Sequence, residues 1–405
     1  MKCSHCNFER AKPFKFCPLC GTATGLLEIN EPETPQINQN NDNLAQNVPE
    51  ITINSENLVE QPSPAPRIMP FVKKLPRGLT EETYKERKSV KKLSRLSGGA
   101  FLTLEVVSNV FVYGVYFSII LVELIMGFFG HSYKDYATKL FGDPYFLQLF
   151  QILASTIMFT IPFLLFFKLS KHKVSELIDF NLPKNKNWFP FILMGIGFCS
   201  FANIANSMAA SLFSGFGVDY NVDFGEDPKG LTGFLLSFLA TAIVPAFVEE
   251  FACRGLVMGA LKKHGEGFAI MSSAILFGFI HGNFQQIPFA FMVGLILGFV
   301  AIKCGSIWPA IFIHFYNNCS SVVFTYLFMD MDVLTQNIIY TIYLAVCLFI
   351  GIISLFMLKS TDAFKLNNEC GEATEKQKYK WFFTTELVIL VIIVCIANSL
   401  QYFVL

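Results

Sequence analysis

The chain has 405 residues, 53% hydrophobic and 15% aromatic, with 45 phenylalanines and a formal net charge of zero. That composition excludes an ordinary soluble globule and suits a multispanning membrane protein. The neutral balance gives no signal for nucleic acid or for acidic partners.

Four of the 11 cysteines lie in the first twenty residues. They form Cys3-x-x-Cys6 and Cys17-x-x-Cys20, two knuckles separated by ten residues. Four thiolates so arranged close a tetrahedron around Zn²⁺, and residues 1–23 are read as a small zinc ribbon. His5, between two ligands, is not counted as a fifth. A unit this short cannot fold on apolar burial, so metal binding would supply its folding free energy. Disulfides are the competing reading, and the basic flank further on argues for a reducing cytoplasm instead. No apolar stretch of signal-peptide type opens the sequence, so no cleaved export signal is expected. The remaining cysteines are scattered, mostly among apolar segments, as small core residues.

Residues 24 to about 70 are rich in Asn, Gln, Pro and Glu, and no Lys or Arg occurs between Phe16 and Arg67. They cannot bury enough apolar surface to offset ordering and are read as a flexible tether. The balance then reverses with Lys73, Lys74, Arg77, Lys85, Arg87, Lys88, Lys91, Lys92 and Arg95. Residues 71–98 are therefore expected as a basic, partly helical stretch on the membrane surface. Tether and basic stretch together occupy 24–98, and a transmembrane domain occupies 99–405.

Apolar segments long enough for the bilayer recur at roughly 101–130, 145–168, 188–215, 231–263, 266–281, 285–303, 306–329, 335–358 and 381–404. The fold class expected is all-α, a transmembrane bundle of about nine spans. Basic residues alternate between loops as such spans require: 168–187 and 359–380 are Lys-rich, whereas 218–230 and 329–336 are acidic. The N-terminus is thus expected in the cytoplasm and the C-terminus outside, in a bacterial cell membrane. The short 266–281 segment is the weak point, with the character of a broken or re-entrant helix.

Ionisable groups inside such segments are functional candidates by default. Glu249 and Glu250 lie in the fourth segment, with Arg254 one turn on. Glu250 and Arg254 share a helical face in the order that favours an ion pair. If the fourth and fifth segments form a hairpin at Lys262-Lys263-His264-Gly265, Glu249 and His281 are equally far from the turn and lie at one depth. In the seventh segment His314 and Asn318 share a face, with Asn317 the nearby alternative. A Glu base, two imidazoles and an amide suit water activation and stabilisation of a tetrahedral intermediate. Glu and His are also ordinary Zn²⁺ ligands, so a divalent metal in the membrane site stays open. Other intramembrane hydrolase patterns fit less well: no two of the six His have HExxH spacing, and no GxGD occurs.

EExxxR at Glu249–Arg254, FxxxH at Phe277–His281 and HxxxN at His314–Asn318, in that order, resemble the three motifs of the CAAX protease and bacteriocin-processing (CPBP, or Abi) family of intramembrane proteases. The resemblance covers roughly residues 188–325. It implies a helical core enclosing a peptidase site, Glu249 as water-activating base assisted by His281, and His314 with Asn318 as an oxyanion-stabilising or metal-binding pair. Glu250 and Arg254 support them. Substrates implied range from C-terminally prenylated proteins to peptides and bacteriocin-related factors, with some members acting in immunity to such peptides.

The partners expected are therefore a membrane-associated peptide or protein substrate, the lipid bilayer and a cytoplasmic protein bound by the ribbon. No nucleic-acid partner is expected. The rival reading is a non-catalytic membrane immunity or scaffold protein, which need not keep Glu249, His281, His314 and Asn318 all intact. A transporter is a weaker rival, since the segments show no inverted repeat.

Overall fold

The computed structural model describes residues 79–129, 139–140, 142–215, 227–359 and 362–400. The expected ribbon, with Cys3, Cys6, Cys17 and Cys20, and the expected tether lie outside them. The described residues are helical, with no strand among them.

Helix α1 (Glu81–Phe128) is capped by Thr80, whose hydroxyl accepts from the Thr83 N–H, and carries Glu81 and Glu82 in its first turn. Both features satisfy or complement the free N–H groups of a helix start. It then runs unbroken for 48 residues, so the basic stretch from Glu81 onward and the first apolar segment are one helix. Helix α2 (Pro144–Ser170) starts under an Asp143 cap and ends on Lys171 in the left-handed region at φ 62°. Helices α3 (Trp188–Gly215) and α4 (Gly230–His264) follow. After them come α5 (Glu266–Phe279), α6 (Gln286–Cys304), α7 (Trp308–Phe328) and α8 (Val333–Met357). A short α9 (Glu375–Phe383), opened by a Thr374–Gln377 capping box, precedes α10 (Glu386–Leu400) at a bend of 68°.

Among the described residues six helices are long and apolar enough to cross a membrane, or seven if α9 and α10 count as one broken span. The chain is a multi-pass membrane protein, and the described residues do not confirm the nine spans expected. Helix α5 has only 14 residues. Helix α7 has 21 but is interrupted by His314, Asn317, Asn318, Ser320 and Ser321, too polar a run to pass as a span on its own. Large apolar side chains face outward, among them Val110, Phe117, Leu212 and Phe349, as a lipid-embedded surface requires.

Hydrogen bonds gather the Lys-bearing connections at one end of the bundle. Lys303 Nζ donates to the carbonyls of Asp362 and Lys365, Asn185 Nδ2 to that of Lys303, and the Glu266 N–H to that of Asn367. Lys378, buried, donates to the His264 carbonyl at 2.8 Å and pairs with Glu86 at 3.3 Å. Since α5 begins and α6 finishes at this end, the two form a hairpin that turns at Ile280–Gln285. At the opposite end Tyr145 and Tyr326 bond the Lys229 and Pro228 carbonyls. Helices α3 and α8 touch through glycine: a Cβ on Gly197 would stand 2.5 Å from Gly351 Cα. Small residues at such crossings let backbones meet where lipid provides no hydrophobic drive.

Candidate active site

The fourth helix is irregular where its carboxylates lie. Two π-helical stretches, Phe238–Ile243 and Phe251–Met258, flank a short α-helical piece, Val244–Glu250. Pro245 explains the first: it has no N–H, and the preceding Val244 N–H bonds five residues back to Leu239. The Thr241 carbonyl thereby loses the donor a regular helix would give it four residues on. Asn318 Nδ2 supplies one at 3.0 Å, so the last residue of HxxxN is locked to the proline-broken turn of α4. Behind it Asn317 Nδ2 donates to Asn318 Oδ1 at 3.2 Å, and Asn203 Nδ2 to Asn317 Oδ1 at 3.1 Å. Asn317 is the support of Asn318 and Asn203 the anchor of both. Asn318 keeps one amide proton outside this chain of bonds.

The adjacent glutamates point into different surroundings. Glu250 is fully buried, and its Oε1 takes Arg254 Nη1 at 2.7 Å and His314 Nδ1 at 2.8 Å. The ion pair expected one turn apart is present, but Glu250 also fixes an imidazole from α7. With Nδ1 as the donor to that carboxylate, the ring turns its Nε2 outward, and this atom lies 3.9 Å from Glu249 Oε2. Arg254 lies 4.2 Å above the Phe277 ring, which also meets the rings of His281 and His314 edge-on. The first residue of FxxxH is thus an aromatic wedge between cation and imidazoles. His281 Nδ1 bonds the Phe277 carbonyl at 2.8 Å, which orients its Nε2 in the same sense.

A cavity of about 160 Å³ collects the four expected catalytic residues, Glu249, His281, His314 and Asn318. Glu249 and His281, expected at one depth, both line it. Thr241 and Pro245 of α4, Phe277 of α5, Phe289, Ala290 and Val293 of α6, Asn317 of α7 and Gln151 of α2 complete the wall. Sequence reasoning missed Gln151, although two glutamines in an apolar helix were a readable signal. It also missed the Glu250–His314 bond, for which no local signal exists. No group of three or more His, Cys, Asp or Glu side chains among the described residues is gathered closely enough to hold a metal ion.

Comparison with known proteins falls on the same stretch. Residues 231–320 are similar to the family described as type II CAAX prenyl endopeptidase Rce1-like. That range contains all three motifs, α5 and α6 whole, and nearly all of α4. A stretch of 89 residues is 28% identical to a protein named "Putative membrane peptidase YdiL" from Bacillus subtilis (strain 168), covering 22% of this chain and 36% of that protein. No solved structure matches.

Proposed function

We propose that the protein is an intramembrane endopeptidase that hydrolyses peptide bonds of membrane-associated substrates with water activated by Glu249. The observation that carries this reading is the meeting of Glu249, His281, His314 and Asn318 around one cavity inside the bundle. Glu249 lines the cavity, where it can accept a proton from a water held there. Glu249 takes that proton as the oxygen attacks the scissile carbonyl. His314, held by Glu250, and His281, held by the Phe277 carbonyl, flank the water and pass the proton on to the departing amine. The remaining amide proton of Asn318 is the donor to the oxyanion.

The likeness to type II CAAX prenyl endopeptidases favours lipid-anchored, C-terminally prenylated substrates over bacteriocin-related ones. A prenylated peptide enters a site among apolar helices with its lipid already in the bilayer. The N-terminal cysteines, as a zinc ribbon in the cytoplasm, would recruit a cytoplasmic protein.

The test uses purified full-length protein in liposomes with a fluorogenic peptide ending in a farnesylated Cys and three further residues. Wild type is expected to cleave it, and Glu249→Gln to lose about 10²–10⁴-fold in kcat, the usual contribution of a general base. An unimpaired Glu249→Gln would remove the assignment. A failure of wild type to cleave this peptide or a prenyl-free library would replace the peptidase by an immunity or scaffold protein.

A further inference from the structure

Helix α2 lies outside the stretch that resembles known peptidases, yet it reaches the cavity. Its first turns read Pro-Tyr-Phe-Leu-Gln-Leu-Phe-Gln-Ile-Leu, an apolar run broken only by Gln148 and Gln151, three residues apart and so on neighbouring positions of one side. Gln151 lines the cavity with Glu249, His281, His314 and Asn318. Gln148 is not among the lining residues, and its Oε1 is buried without a hydrogen-bond partner.

An amide in a lipid-facing helix has neither water nor lipid groups to bond, and leaving it unpaired costs free energy. The side chain of Gln151 makes no hydrogen bond among the described residues, whereas every other polar side chain on the cavity wall except Thr241 and Glu249 is tied to a protein partner. A peptide brought into the membrane has the complementary deficit, because its backbone N–H and C=O groups leave water as well. A carboxamide is donor and acceptor at once and pairs with a peptide group through both.

Resting on the peptidase reading above, we infer that Gln151 binds the main chain of the substrate beside the scissile bond, so that α2 sets how the peptide is threaded past Glu249. It is a substrate-binding residue, and takes no part in proton transfer.

The test pairs a protein change with a substrate change. The farnesylated fluorogenic peptide is made with each non-scissile amide near the cut replaced in turn by an ester, which deletes one N–H. Wild type is expected to lose about tenfold in kcat/KM at one of these positions, the scale of one hydrogen bond. Gln151→Leu should lose about tenfold on the all-amide peptide, mainly through KM, and no longer distinguish that ester. Gln148→Leu, on the same helix but outside the cavity wall, should keep both the rate and the ester sensitivity. Leucine suits a lipid-facing helix, and an unchanged melting temperature verifies the fold.

The inference is overturned if Gln151→Leu matches wild type, if it keeps the ester sensitivity, or if Gln148→Leu behaves identically to it. Those outcomes leave the peptidase itself standing, because wild type still cleaves and Glu249→Gln does not. Only the absence of cleavage by wild type removes both.

Discussion

Glu250 Oε1 lies 2.8 Å from His314 Nδ1, joining the second glutamate of α4 to the imidazole of α7 inside the bundle. The same oxygen holds Arg254 at 2.7 Å. Stability and orientation therefore share one buried atom, and substitutions can separate them. Arg254→Met leaves a buried carboxylate short of its cation and is expected to destabilise by about 3–5 kcal/mol. Glu250→Gln with Arg254→Met removes both charges and should regain most of that, measured by thermal unfolding in detergent. Activity should stay low in the double variant, since the neutral amide holds the His314 ring more weakly. Recovery of hydrolysis along with stability would mean that Glu250 is purely structural.

Asn318 combines a structural bond with its proposed role at the oxyanion. Asn318→Ala frees the Thr241 carbonyl that Pro245 cannot serve, at a cost of about 1–3 kcal/mol. Loss of an oxyanion donor lowers kcat by roughly 10²–10³-fold. A variant that melts early yet turns over normally would confine Asn318 to the first role.

Where α3 and α8 cross, the contact is backbone against backbone, so nothing flexible can give way. Gly197→Ala would drive a methyl to 2.5 Å from Gly351 Cα. Overpacking of this kind costs about 1–3 kcal/mol. Gly351→Ala should do the same, and the double variant should be worse than either. Melting temperatures near wild type would show that the two helices can part without loss.

Metal removal separates the proposed zinc ribbon from the proposed membrane site. Dialysis of the full-length protein against a chelator is expected to strip about one zinc per chain, the stoichiometry of a four-cysteine ribbon. Hydrolysis of the farnesylated peptide should persist, measured on the same sample with metal content by mass spectrometry. Activity that falls with zinc and returns on its addition to a Cys3→Ser/Cys6→Ser variant would instead make Glu249, His281 and His314 metal ligands.

The positions of the helices were legible because lipid imposes a simple code: long apolar runs, with charge excluded to their ends. Helix α2 at Pro144–Ser170 and α3 at Trp188–Gly215 fall almost where the apolar runs at 145–168 and 188–215 place them. The candidate site residues were legible for a related reason, since Glu249, His281 and His314 are conspicuous in an apolar context. Spacing even brought Glu249 and His281 to one level.

What sequence could not decide was which partner each polar group takes. Glu250 is four residues from Arg254, and local spacing announces that pair; its bond to His314 spans 64 residues and exists only because α4 and α7 pack. The π-helical stretches around Val244–Glu250 arise from the lack of a proline N–H, and Asn318 on another helix answers it. Gln151 joins the cavity only because α2 leans on α4. Sequence by itself determined that the chain is a multi-pass helical protein and where its charges fall within the apolar segments, through the free energy of leaving water. The tertiary structure decided which of those groups face one another, because a hydrogen bond depends on ångström-scale approach between helices that no local pattern records.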